Sequence, residues 1–338
     1  MKKKVCIIYT GGTIGMKPQE HGYAPESGYL SEVFKNMKEL HAPEMPEYDF
    51  IEYNPLLDSS YISVKEWVKI AKDIEARYHY YDGFVILHGT DTMSYTASAL
   101  SFMLRGLAKP VILTGSQIPF FMLRSDARDN LITSMLIAAN YNIPEVSLYF
   151  GGKLLRGNRS TKISSDQLIA FDSPNFPALL EAGVKIVPNY KIILPKGEKL
   201  ELHEFKDIQI AVIKIFPGIQ FDVFENIVTS HLKGIVIEAF GSGNVPSGDN
   251  RLTKLLKKAS ENKTVVVVCT QCLKGGAVIG RYETSKVLFD TGAASGYDMT
   301  VEAAVTKLYY LLSHNYSYET IKALMETDIS GELSSHII

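Results

Sequence analysis

The chain has 338 residues, 46% of them hydrophobic and 21% charged, and a formal net charge of −2. This balance lacks the basic field that nucleic-acid binding demands, and no run approaches the roughly 18 apolar residues of a membrane span. Domains usually run about 100–200 residues, so two are expected.

The chain opens on Lys2-Lys3-Lys4 and the apolar run Val5–Tyr9. That run is shorter than the roughly 7–15 apolar residues of a signal-peptide core, so the sequence reads as cytoplasmic. Three cysteines, Cys6, Cys269 and Cys272, form no disulfide framework, which agrees with that reading. Cys269-Thr-Gln-Cys272 has C-x-x-C spacing but leads into Leu273-Lys-Gly-Gly, a loop rather than a redox helix, and reads as reduced structural thiols.

In chain order, Val5–Tyr9 is a buried strand that opens onto Thr10-Gly-Gly-Thr13-Ile-Gly15. The G-x-G-x-x-G spacing of a dinucleotide loop is absent, and residues 16–28, punctuated by Pro18, Gly22, Pro25 and Gly28, predict a loop instead of a helix. Such a loop can close over a site and exclude water; its Tyr23 either serves that closure or packs the loop down. Asp58-Ser59-Ser60 is a turn, or a set of acceptors and hydroxyls for the head group of a small amino acid. Ser63 and Glu66 form a capping box for a helix reaching about Tyr78.

A second buried strand, Phe84–Leu87, opens onto His88-Gly-Thr90-Asp91-Thr92 and a helix over about 94–105. Asp91 can cap that helix and can also be an acid beside Thr90, since the two roles need not exclude each other. His88 orients its own turn. Val111–Leu113 predicts a strand ending in Thr114-Gly-Ser-Gln117, Ser125-Asp126 cap a helix to about Asn140, and Val146–Phe150 is a further strand. Leu154–Thr161 is extended and leads to Lys162, which can serve a nearby hydroxyl as base when desolvated.

The Pro-, Lys- and Glu-rich text between Pro188 and Lys206 reads as a linker at 191–207, dividing a domain of 1–190 from a smaller one of 208–338. In the smaller domain, strands fall near 208–215, 234–237 and 264–268, with helices near 221–231, 251–260 and 301–313. Strands alternating with helices define an α/β protein: two α/β domains, the larger N-terminal one a mostly parallel sheet with helices on both faces. Ligands of such sheets sit outside the carboxyl ends of the strands. Both Thr13 and Thr90 are delivered there. Paired threonines with a carboxylate and a lysine suit acyl transfer, since a hydroxyl attacks only when a partner takes its proton. The eight histidines show no metal-ligand spacing, and no metal site is expected.

Taken together, these blocks resemble the bacterial asparaginase and glutaminase family, specifically its cytoplasmic type I L-asparaginases. The likeness runs over essentially the whole chain and is carried by Tyr9–Gly15, Asp58–Ser60, Asp82–Thr92, Thr114–Gln117, Leu123–Asp126, Arg156–Arg159, Lys162 and Ser173-Pro-Asn175. It implies a subunit of a homodimer or dimer of dimers that hydrolyses L-asparagine to L-aspartate and ammonia through an acyl-threonine, without cofactor. Thr13 would be the nucleophile under Tyr23, and Thr90, Lys162 and Asp91 would activate a hydroxyl or water. Asp58, Ser59, Ser60 and Asp91, with Thr90, would hold the amino-acid head group. Asn244 or its neighbours would complete the adjoining subunit's pocket. The resemblance leaves open which threonine attacks first.

One departure concerns regulation. Some type I members carry a second asparagine pocket near Thr270-Gln271-Cys272, with an arginine at the neighbouring strand end. Here that position is Glu238, whose like charge opposes a carboxylate effector, so weak or absent allosteric control is expected. Rival readings are a glutaminase preference and an amidotransferase subunit acting on charged tRNA, which would need an added N-terminal domain ahead of Val5. From other classes come a dinucleotide oxidoreductase and an inactive amino-acid-binding protein.

Overall fold

The structure, a computed structural model, describes residues 2–20, 22–248 and 250–334. His21 of the predicted loop and the last four residues of the second predicted domain lie outside the described residues. By contacts the chain forms two compact units, Met1–Ser173 with Pro177–His203, and Pro174–Phe176 with Glu204–Ile338.

The first unit is built on an eight-stranded sheet: β1 (Lys4–Gly11), β2 (Glu47–Leu57), β3 (Gly83–Leu87), β4 (Val111–Thr114), β5 (Val146–Phe150), β6 (Lys153–Arg156), β7 (Leu180–Ala182) and β8 (Ile186–Pro188). Their order across the sheet is β8-β7-β6-β5-β4-β3-β1-β2. The five strands β2, β1, β3, β4 and β5 run parallel, and β6 to β8 continue the sheet antiparallel. The sheet is thus mixed, parallel at its centre.

Consecutive residues of a strand point to opposite faces, and Val5 through Tyr9 and Phe84 through Leu87 are all fully buried. Both faces of the central strands are therefore covered, which is why β1 and β3 read as unbroken apolar runs. Each such side chain contributes about 1.5–3 kcal/mol of burial. The helix Val64–Arg77 carries the expected capping box: Glu66 accepts from the Ser63 amide and hydroxyl at 2.8 and 2.6 Å.

The second unit holds a smaller, all-parallel sheet of β9 (Gln209–Lys214), β10 (Leu232–Ala239), β11 (Val265–Thr270) and β12 (Ala294–Ser295), in that order. Its core gathers Ile235, Ile237, Val266 and Val268 with Leu252, Leu255 and Leu256 of the helix Asn250–Glu261.

Several local expectations change. The helix near 221–231 is only a 3₁₀ turn, Phe221–Phe224. Its β-branched residues and Asn226 are poor helix formers, and packing buries Phe221 and Val228 while leaving Val223 and Ile227 exposed. Residues 16–28 are more ordered than a plain loop: Met16–Gln19 and Gly22–Pro25 form an antiparallel hairpin. The strand β2, with Glu47, Asp49, Glu52 and Pro55, has the charges and proline of a sheet edge, which masked its periodicity.

The stretch 191–207 divides. Up to His203 it lies on the first unit, fastened by a buried ion pair. Arg156 Nε meets Glu145 Oε2 at 2.6 Å, with both side chains about 5% exposed or less. Arg156 also donates to the Ile192 carbonyl at 2.6 Å, and Glu145 accepts from the Leu194 amide at 2.9 Å. Farther on, Glu201 and Leu202 pair with Arg105 and Leu104. Removing one member of a buried pair strands the other charge, at about 3–5 kcal/mol. Arg156→Met is expected to lower the free energy of unfolding in urea by that order. It should also speed proteolysis within 191–200; an unchanged midpoint and cleavage rate would contradict this anchoring role.

Candidate active site

Thr13 begins a short 3₁₀ turn, Thr13–Gly15, immediately beyond β1. Thr90 stands three residues beyond β3, the strand hydrogen-bonded beside it. Gly12 has φ 91°, which favours glycine. More decisively, a Cβ on Gly12 would lie 2.3 Å from the Gly89 Cα, and a Cβ on Gly89 would lie 2.6 Å from Ser59 Oγ. Three turns, each carrying hydroxyls, therefore meet with no room for a methyl group. Cross-links hold them: Thr10 Oγ1 donates to the Leu87 carbonyl at 3.0 Å, and Thr92 Oγ1 donates to the Ser59 carbonyl at 2.8 Å.

Lys162 arrives from the far side of the sheet. After β6, the chain makes a tight turn at Gly157–Arg159, where Gly157 packs against the Ala97 carbonyl and the Ser101 hydroxyl. Thr161 and Lys162 then pair antiparallel with Asp172 and Phe171. Lys162 Nζ donates to Thr90 Oγ1 at 2.9 Å and meets Asp91 Oδ1 at 2.7 Å. Thr90 is buried; the Asp91 side chain is 68% exposed. Thr92 occupies the N-cap position of the helix Met93–Met103, and its hydroxyl donates to the Ser59 carbonyl instead of capping. Asp91 is thus no N-cap, and its carboxylate faces Lys162 instead.

Asp58 serves its own turn: Oδ1 accepts from the Ser60 amide and hydroxyl, both at 2.8 Å. Ser59 is buried against Gly89, and Ser60 is exposed. Tyr23 sits on the hairpin, 56% exposed, its ring 6.2 Å from that of Phe121. No hydrogen bond joins it to Thr13 among the described residues. The hairpin is nonetheless tied to the Thr13 turn: the Glu26 amide donates to the Gly15 carbonyl at 3.2 Å, as the Phe120 amide does to the Ile14 carbonyl. Thr13, Ser59, Thr90, Asp91 and Lys162 are brought together; Tyr23 stands at the rim on packing of its own.

Two residues that the sequence marks as a helix cap and as the orienter of its own turn, Asp126 and His88, have further partners that it did not reveal. Asp126 accepts from the Gln117 and Ile118 amides, both at 3.0 Å, shaping the turn after β4. Behind Thr90, fully buried His88 contacts the Gly89 carbonyl through Nδ1 at 2.7 Å and Thr96 Oγ1 through Nε2 at 2.9 Å; Thr96 also receives the Trp67 indole N–H at 3.1 Å. Burial pulls the His88 imidazole down to about 4, so the ring is neutral. Among the described residues, no three His, Cys, Asp or Glu side chains converge as a metal requires.

In the second unit, Asn244 Oδ1 accepts from Thr284 Oγ1 at 2.7 Å. Gln271 Nε2 donates to the carbonyls of Ile215 and Glu238 at 2.6 and 2.8 Å. The largely buried Glu238 carboxylate faces Lys214 at 3.5 Å.

Comparison with known proteins places this arrangement. The family described as "Asparaginase, N-terminal" matches residues 4–193, and "Glutaminase/Asparaginase C-terminal domain" matches residues 209–325. The two α/β units and the threonine-bearing strand ends thus define the class, and the chain belongs to the asparaginase family. It is 49% identical to L-asparaginase 1 of Escherichia coli (strain K12) over 334 residues, 98% of either chain. Its structure is similar to that of L-asparaginase I from Vibrio cholerae, with a TM-score of 0.91 and 46% identity, covering 99% of this chain and 100% of that one. The thermostable L-asparaginase from Thermococcus kodakarensis gives a TM-score of 0.87 at 32% identity, covering 98% and 99%.

The neutral His88 makes stability depend on pH. An unfolded histidine takes up a proton near 6.5, whereas the folded ring stays neutral down to about 4. The unfolded state therefore binds more protons in that window. This contribution, on the order of 3 kcal/mol, is fully present above pH 6.5 and is lost as the pH falls toward 4. Urea midpoints measured from pH 7 to 4.5 should fall more steeply for the wild type than for His88→Asn. Equal slopes would show that His88 is not held neutral.

Proposed function

We propose that this chain hydrolyses the side-chain amide of L-asparagine to L-aspartate and ammonia through an acyl-threonine intermediate. The observation that carries this reading is the Thr90–Lys162–Asp91 set, hydrogen-bonded at 2.9 and 2.7 Å beside the turn that presents Thr13. Family membership and near-complete coverage by L-asparaginases support the same substrate.

In this mechanism Thr13 Oγ attacks the amide carbon as its proton passes to the leaving nitrogen, with the hairpin bringing Tyr23 over the turn to assist. Backbone N–H groups at the glycine turns receive the developing oxyanion, usually a large electrostatic contribution. Ammonia departs and an aspartyl ester remains on Thr13. Lys162, oriented by Asp91, takes a proton through Thr90 from the water that cleaves the ester, and that proton is returned to Thr13 Oγ as the ester bond breaks and aspartate leaves. Asp58, Ser59, Ser60 and Asp91 hold the charged head group of the substrate. We place the enzyme in the cytoplasm as a homodimer or dimer of dimers. Supporting the location, its three cysteines are free, and no helix among the described residues is long and apolar enough to cross a membrane.

Glutamine is the second reading, since one methylene changes pocket affinity by only about 1–3 kcal/mol. Regulation by a second asparagine is read as weak or absent. The Gln271 amide donates to two carbonyls, and Glu238 stands at the strand end where the resemblance implies an arginine, its carboxylate facing Lys214.

Ammonia release from L-asparagine and L-glutamine tests all three points. Wild type should prefer asparagine with a hyperbolic saturation curve. Thr13→Ala, Thr90→Val and Lys162→Met should each lower kcat by about 10²-fold or more, the scale expected when a catalytic group is lost, with folding intact by circular dichroism. Full activity in Thr13→Ala would overturn the mechanism, and a sigmoidal curve would overturn the regulatory reading.

A further inference from the structure

The bonds around His88 leave no freedom in where its protons lie. The Gly89 carbonyl can only accept, so the ring nitrogen beside it, Nδ1, carries the hydrogen. A neutral ring then offers Nε2 as an acceptor, and the Thr96 hydroxyl must donate to it. The Trp67 indole N–H only donates, and it points at the same hydroxyl oxygen. Every donor in the chain Trp67 → Thr96 → His88 → Gly89 is thereby assigned, and all four members belong to the first unit.

The end of this chain is the peptide that joins Gly89 to Thr90. In a trans peptide the carbonyl and the N–H point in opposite directions. With the Gly89 carbonyl drawn inward to a fully buried imidazole, the Thr90 N–H points away from the core. Gly89 is also confined on its other side, where a Cβ would strike Ser59 and come within 3.3 Å of Gly12. The carbonyl is thus the point at which the orientation of the Thr90 turn is set. The Thr90 N–H donates to no acceptor among the described residues.

We propose that His88, locked as its Nδ1–H tautomer by Thr96 and Trp67, is a positioning residue for amide hydrolysis, fixing the Gly89–Thr90 peptide so that Thr90 meets both Lys162 and the substrate. The kinetic half of this proposal rests on the asparagine-hydrolysis reading; the tautomer does not. His88 itself touches no substrate, being closed off from solvent. Its effect falls on kcat, through the placement of Thr90, and not on the binding of the amino-acid head group.

Two measurements test it. Nitrogen-15 spectra of selectively histidine-labelled protein at pH 7, with the His88 signals identified by their loss in His88→Asn, should show the Nδ1–H tautomer. An Nε2–H tautomer would overturn the proposal. For kinetics, asparagine places its side-chain amide where Nδ1 lies, and glutamine places its own where Nε2 lies. His88→Asn should keep kcat within about threefold, whereas His88→Gln, which loses the Gly89 bond, should lose about tenfold or more with KM nearly unchanged. Thr96→Val keeps the side-chain shape and removes the lock. It should populate the second tautomer and lower kcat, so the proposal stays testable even if His88→Gln does not fold. Equal loss in both His88 variants, or no loss in either, would overturn it. If wild-type protein releases no ammonia from asparagine, the activity reading falls, and the tautomer still decides the placement of His88.

Discussion

The backbones of Gly12 and Gly89 approach so closely that a methyl group on the first would lie 2.3 Å from the second's Cα. Neighbouring parallel strands stand about 4.8 Å apart, and residues following them ordinarily diverge under their own side chains. Here two adjacent strands end in turns stripped of side chains at the point of contact. Thr13 and Thr90 are held at one edge by that contact, and Ser59 joins them because Gly89 offers it a bare surface. Close positioning of reacting groups is worth many orders of magnitude in rate.

The polar groups around this contact come from three layers of the same unit. Ser59 is tied to the Thr90 turn by Thr92, Lys162 is brought in by a turn packed on the helix that follows Thr90, and His88 holds the peptide from beneath. Ser59, Thr90 and His88 are buried, whereas Asp91 and Ser60 are exposed. In the proposed reaction this gradient suits a small zwitterionic substrate, with buried groups fixing the geometry and exposed charge available to the head group.

Much of this was legible in the sequence because burial on both faces leaves a plain signature. Val5–Tyr9 and Phe84–Leu87 read as strands without ambiguity, and a glycine-flanked threonine after each marked the edge that carries chemistry. The capping box at Ser63 and Glu66 was equally direct. What the sequence hid was determined by long-range partners. The edge strand Glu47–Leu57 carries three carboxylates and a proline among its eleven residues, so its pairing with β1 is invisible to periodicity. The 221–231 segment has helical spacing of its apolar residues, but packing buries Phe221 and Val228 and half-buries Phe224 while Val223 and Ile227 stay exposed. Asp91 next to a helix start reads as a cap as readily as an acid; only the strand pairing that delivers Lys162 shows which partner its carboxylate meets. His88 carries no motif that reveals Thr96 and Trp67 as its partners.

The side-chain-free contact at Gly89 organises the site. Its most direct test is the kcat of Gly89→Ala for asparagine, measured beside its urea midpoint. The added methyl must displace Ser59 and press on the Thr13 turn. A misplacement on the scale of 1 Å costs about 10²-fold, so kcat should fall by that order while the sheet, and most of the stability, persists. A variant that folds and turns over asparagine at the wild-type rate would show that the contact does not organise the site.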